Sequence, residues 1–126
     1  MIVNISHEGI TLFTKENRSA ASLDLAYPHL FKDLFTLPED MLIYWFGRIY
    51  VMPDKRNQGE GTLLLRKICE IADEKQFAIF LGINAYGDLN TKQLRKWYSK
   101  YGWTYLKKGM MLRLPQKQKK PIPIKI

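Results

Sequence analysis

Short runs of alternating apolar and polar residues fill the first quarter of the chain. Ile2–Ser6, Gly9–Phe13 and Ser22–Tyr27 are β-compatible, and the polar stretch Lys15–Ser19, with Asn17, joins the last two. The pattern predicts an antiparallel meander. In His29–Leu37, Leu30, Phe31, Leu34 and Phe35 fall at helical spacing, which fits a short helix or a packed loop limited by Pro38. Leu42–Met52 is dense in Ile, Tyr, Trp, Phe and Val and is the strongest strand signal. Gly47 inside it is a bulge signal. Tyr44, Trp45, Phe46 and Tyr50 fall on both faces of that strand, most of them core, with one face available to line a groove.

The clearest helix is Gly61–Lys75. Leu64, Leu65, Ile68, Ile71 and Ala72 form one apolar stripe, and Arg66, Lys67, Glu70, Asp73 and Glu74 occupy the other face. Phe77–Ile83 is a short apolar run, consistent with a buried strand beside that helix. Asn90 with Gln93 three residues on has the form of a capping box. Leu94, Trp97, Tyr98 and Tyr101 then recur at i, i+3, i+4 and i+7, and Gly102 is placed to close the helix in a left-handed conformation with Trp103 packing back. Trp103–Leu106 and Met110–Leu114 read as two final strands. The reading is one domain over residues 1–114, followed by a basic, flexible tail over residues 115–126.

Composition narrows the classes. The 126 residues are 46% hydrophobic and 25% charged, which is globular. A single cysteine, Cys69, excludes an intramolecular disulfide and a Cys-rich metal site, and fits a reducing cytoplasm. Cys69 lies mid-helix beside the apolar stripe, as a structural thiol does. His7 and His29 are the only histidines, so no metal is expected. No signal peptide and no apolar run of membrane-spanning length stands in the chain, so no membrane association is expected. The net charge is +8, half of it from Lys117, Lys119, Lys120 and Lys125. The remaining excess suits a polyanionic ligand, either a phosphorylated cofactor or nucleic acid.

The chemistry concentrates between the strongest strand and the clearest helix, in Val51-Met52-Pro53-Asp54-Lys55-Arg56-Asn57-Gln58-Gly59-Glu60-Gly61. Pro53 ends the strand by removing a ladder donor. Gly59 and Gly61 allow close approach of the backbone to a ligand. The N–H groups of the helix start and the helix dipole suit a phosphate, and Arg56 adds a guanidinium. The bland alternative is a plain strand-to-helix turn, and the correct flanks on both sides weigh against it. The segment is neither a P-loop, lacking Gly-Lys-Ser/Thr, nor Gly-x-Gly-x-x-Gly, because Leu64 holds the third position.

Arg56-x-x-Gly59-x-Gly61 after a Val-x-Pro strand end resembles the acyl-CoA signature of the GNAT N-acetyltransferase superfamily. Leu94-x-x-Trp97-Tyr98-x-Lys100-x-Gly102-Trp103 resembles its second motif, so the likeness spans Leu42 to Leu114. Ala85-Tyr86-Gly87 also resembles compact acyltransferase-like proteins of bacteriophages. The resemblance implies an α/β (α+β) fold: a mixed, largely antiparallel central sheet, flanking helices and a V-shaped splay of two strands. It implies a cytoplasmic enzyme, monomer or homodimer, moving an acetyl group from acetyl-CoA to an amine of a small molecule or protein.

By the same resemblance, Ile49, Tyr50 and Val51 offer backbone groups to the pantetheine arm. Arg56, Asn57, Gln58, Gly59, Glu60, Gly61 and Thr62 surround the pyrophosphate, and Tyr98 protonates the departing thiolate. Tyr98 also fits a plain core aromatic on its stripe. The Glu60 side chain is expected to point to solvent, since a carboxylate near a pyrophosphate repels it.

The chain departs from the family's pattern in three places. Thr91 stands where an asparagine often precedes the tyrosine, leaving Asn90 or Asn84 as candidates for that cofactor contact. The region before Leu42 lacks paired helices. Ile43–Val51 holds no acid, so the general base is Glu39, Asp40, Asp24 or a water chain, or is absent. An absent base would leave a degenerate binding protein acting on nucleic acid or a protein partner, a reading the Lys-rich tail also supports. The same fold modifying nucleic acid would combine the two.

Overall fold

The fold rests on period-two alternation in the central strands. The computed structural model describes residues 1–14, 19–31, 33–38, 40–51, 59–83 and 90–116. It contains β1 (Ile2–Ile5), β2 (Gly9–Phe13), β3 (Ser19–Ala26), a 3-10 turn (Pro28–Phe31), β4 (Ile43–Val51), α1 (Glu60–Lys75), β5 (Ala78–Gly82), α2 (Thr91–Ser99), β6 (Trp103–Tyr105) and β7 (Met110–Arg113). The strands form one seven-stranded sheet in the order β1-β2-β3-β4-β5-β7-β6. Every neighbour is antiparallel except β4 and β5, which run parallel with α1 as their crossover. This is the expected mixed, largely antiparallel sheet with flanking helices.

Successive residues along a strand point to opposite faces, so each central strand feeds two cores. Tyr44 and Phe46 of β4, Ile79 and Leu81 of β5 and Met111 of β7 pack on the face covered by α1 and α2. Leu64, Leu65, Ile68, Ile71 and Ala72 of α1 are buried there, as their helical spacing requires, together with Cys69. Ile43, Ala78, Phe80 and Leu112 point the other way. That face is covered by Phe31, Leu34, Phe35, Leu37 and Met41. Phe31 and Phe35 both close on Phe80, with ring centroids 4.6 and 5.5 Å away. The segment after Ala26 is thus one short 3-10 turn and a packed loop rather than a longer helix.

β3 begins earlier than its pattern suggests. Ser19, assigned to the polar connection, pairs with Val51 and is 1% exposed. The two helices end as their residues dictate. α1 stops at Gln76, whose N–H still reaches Ala72 O and whose positive φ of 56° turns the chain so that Phe77 N–H reaches the same carbonyl at 3.0 Å. α2 starts with the complete capping box of Asn90 and Gln93. Gly102 follows it at φ +97°, and Trp103 turns back into the core at 3% exposed.

Candidate active site

The β4–β5 ladder has only three pairs: Ile43 with Ala78, Tyr44 with Ile79 and Trp45 with Phe80. Past Trp45, β5 continues its pairing with β7 while β4 runs on to Val51 beside β3. Among the described residues, β4 and β5 do not pair beyond that point, so the sheet opens into a V. Gly47 sits at the opening. Ser22 pairs with Arg48 and Leu23 with Phe46, so Gly47 is the extra residue of a β-bulge, as its position in the strand suggested.

Tyr98 lies beside this opening. Its ring is 7% exposed and makes an edge contact with Phe46, the first residue of β4 past the last β5 pair, at 6.4 Å between centroids. Trp97 and Trp103 hold it from two other sides at 5.1 and 5.5 Å. The helical spacing in α2 places Tyr98 toward β4 while Leu94, Trp97 and Tyr101 are half-buried around it.

The start of α1 faces the end of β4. Gly59 is its N-cap, with φ +82°, and among the described residues no side chain caps the helix. The first intrahelical bond is from Leu63 N–H to Gly59 O, so the N–H groups of Glu60, Gly61 and Thr62 precede the ladder. A Cβ on Gly61 would lie 3.6 Å from Val51 Cγ2 and 3.9 Å from the Trp97 ring tip, so the two helices and β4 converge at this glycine.

Glu60 departs from its expected place. Its side chain is half-buried, and its Oε2 accepts a hydrogen bond from Ser19 Oγ rather than pointing to solvent. The carboxylate is drawn onto β3, which ties the helix start to the sheet. Nothing local in the sequence marks this contact, which depends on β3 extending back to Ser19.

Ile49 is half-buried toward the helical face, and Tyr50 is exposed with the Arg48 guanidinium 5.6 Å from its ring centroid. Asn90 is committed to its cap: its Oδ1 accepts from Gln93 N–H and its own N–H donates to Gln93 Oε1. Arg56, Asn57, Gln58, Asn84 and Glu39 lie outside the described residues, as do residues 85–87 and 117–126. Of the remaining candidate bases, Asp24 and Asp40 are both exposed. Among the described residues no group of three or more His, Cys, Asp or Glu could hold a metal ion, and no helix is long and apolar enough to cross a membrane.

Residues 14–105 match the family model for the acetyltransferase (GNAT) domain. The chain belongs to the GNAT family. No curated protein matches the sequence. Among solved structures, this GNAT chain is similar to NAA60 of Arabidopsis thaliana, solved in complex with a bisubstrate analogue. The TM-score is 0.63 at 8% identity, over 90% of this chain and 79% of that one. It is similar to the anti-CRISPR protein AcrVA5, with TM-score 0.56 and 14% identity over 83% of this chain and 97% of that one. A GNAT family acetyltransferase from Elizabethkingia anophelis with acetyl-CoA bound gives TM-score 0.54 and 19% identity, over 85% and 76%. At these identities the likeness is one of fold.

Proposed function

We propose that the chain transfers an acetyl group from acetyl-CoA to an amine. The observation that carries this reading is the V-shaped opening between β4 and β5, with the uncapped start of α1 at one end and Tyr98 against Phe46 beside it. The residues present fit the donor. The first-turn N–H groups of α1, which precede the helix ladder, suit a pyrophosphate, and Glu60, the one acid in that turn, is drawn aside by Ser19. The backbone of Ile49, Tyr50 and Val51 runs past the last β4–β5 pair, where a pantetheine amide can take the place of a strand. Arg56, Asn57 and Gln58 extend the same cradle in sequence. Asn90 is left out of this set because its cap accounts for its oxygen and its N–H.

Acetyl-CoA supplies an activated acyl group. The chain orients the thioester at the bulge, surrounds it with apolar rings, and offers the Tyr98 phenol as the acid for the leaving sulfur. The test is thermal unfolding with and without acetyl-CoA. Ligand at about 100 times its dissociation constant is expected to stabilise the fold by roughly 2.7 kcal/mol. No shift with acetyl-CoA or CoA would overturn donor binding. Incubation with labelled acetyl-CoA and a cell extract then tests transfer, with labelled amides as the expected product.

A further inference from the structure

β4 carries no acid, yet a carboxylate stands at the bulge. A Cβ placed on Gly47 would lie 3.5 Å from Asp24 Oδ2 and 3.9 Å from Ser22 Oγ. Asp24 belongs to β3, where it pairs with Gly9 on one side and Trp45 on the other. The bulge brings Gly47 alongside it, so a glycine flanks the carboxylate on both neighbouring strands. Among the described residues the Asp24 carboxylate makes no hydrogen bond and no ion pair, and the residue is exposed. Trp45 is also the last β4 residue paired with β5, so Asp24 stands one strand over, level with the point where the V opens.

Asp24 is exposed, and a groove lies beside it along the same face of β3. Residues 20, 22 and 24 of β3 share one face. Their cross-strand neighbours are Phe13 and Tyr50 for Ala20, and Thr11 and Arg48 for Ser22. The small side chains of Ala20 and Ser22 leave a groove of about 260 Å³ between these flanks. Among the described residues its lining is mainly apolar, with Arg48 the charged member. The groove therefore runs from a pair of aromatic rings, along a floor of small residues, toward a carboxylate.

We infer that Asp24 is the general base of the transfer, and that the acceptor amine reaches it along this groove. The inference rests on the acetyl-transfer reading above. An acceptor arrives as an ammonium ion, which cannot attack. Asp24 takes one proton from it and passes that proton to water. The freed lone pair forms the C–N bond as the thioester C–S bond breaks. A second proton leaves the nitrogen, and the departing sulfur takes one up as thiol. One proton is released per turnover, and no oxidant or further reactant is needed. An acceptor whose amine is carried on an apolar or aromatic body fits the groove.

The test compares Asp24→Asn with the native protein in the labelled acetyl-CoA and extract assay, from pH 7 to pH 10, beside thermal unfolding with acetyl-CoA. The expected variant keeps its melting temperature and its acetyl-CoA shift, and loses transfer about 100-fold at pH 7. That deficit shrinks toward pH 10, where an alkylamine of pKa about 10 supplies its own neutral form. A deficit that does not change with pH assigns Asp24 a structural role and overturns the inference. Unimpaired transfer by the variant overturns it too, while leaving the acetyl-transfer reading intact. A native protein that shifts with acetyl-CoA but transfers nothing overturns both.

Discussion

Arg113 grips Asp73 with both ends of its fork: Nη1 donates to Oδ1 at 2.8 Å and Nη2 to Oδ2 at 2.9 Å. A third donor, Nε, reaches Tyr101 O at 2.7 Å, and Gln116 N–H adds a bond to Asp73 Oδ1 at 2.8 Å. Arg113 is 2% exposed. One side chain thus joins the end of α1, the corner after α2 and the end of β7. Removing only the acid leaves a buried cation without its partner. Asp73→Asn is therefore expected to destabilise the fold by about 3 kcal/mol, read from urea unfolding at pH 7.

The same pair sets an acid limit. Burial pushes the Asp73 carboxyl up, but the Arg113 hydrogen bonds, the Gln116 N–H and the Arg113 charge outweigh it and hold it below the usual carboxylate value. Below about pH 4 the unfolded chain binds a proton at this group that the folded chain resists. The stabilisation is present in full above the unfolded value and is lost as pH falls through the folded one. Unfolding midpoints measured from pH 6 to pH 2 should fall with a smaller slope in Asp73→Asn than in the native protein.

Cys69 gives a second measurable consequence of burial. Its thiol is pushed up to about 11 by desolvation, with the Arg113 charge opposing and the Asp73 charge reinforcing the rise. At pH 8 a thiol with that pKa is roughly 0.1% thiolate, against roughly a quarter for an ordinary cysteine. Reaction with a disulfide reagent at pH 8 is expected to be more than 100-fold slower in the folded protein than in urea. A fast native reaction would contradict the burial of this helix face.

The parts of the site legible in the sequence are those set by local chemistry. The stripe from Leu64 to Ala72, the Asn90–Gln93 box and the Gly102 turn each need only a few neighbouring residues, and each stands where its spacing put it. Gly47 announced the bulge because a strand interior has little other use for glycine. What the bulge does was not legible. It depends on β3 register, which brings Asp24 from 23 positions earlier to the side of Gly47. The Ser19–Glu60 contact has the same origin, and so does the placement of β7 between β5 and β6. Periodicity reports which face a residue takes, and pairing partners are decided by the assembled sheet.

Gly59 and Gly61 differ in what a methyl group would meet. Among the described residues nothing lies within 4 Å of a Cβ placed on Gly59, but its φ is +82°, so Gly59→Ala is expected to cost about 1 kcal/mol through backbone strain. Gly61 has ordinary contacts waiting at Val51 and Trp97, so Gly61→Ala is expected to fold with near-native stability. Both methyl groups stand at the helix start. The unfolding midpoints should separate the two variants, while the acetyl-CoA shift should weaken in each.

Tyr98 separates packing from chemistry. Its ring contacts Phe46, Trp97 and Trp103, and all three survive in Tyr98→Phe. That variant is expected to stay within about 1 kcal/mol of native stability and to keep its acetyl-CoA shift. Its transfer rate is expected to fall at least tenfold, as befits loss of an acid. Tyr98→Ala removes the ring as well and is expected to cost about 3 kcal/mol or more. Equal transfer by the Phe variant and the native protein would make Tyr98 a core aromatic and leave the proton of the leaving thiol to solvent.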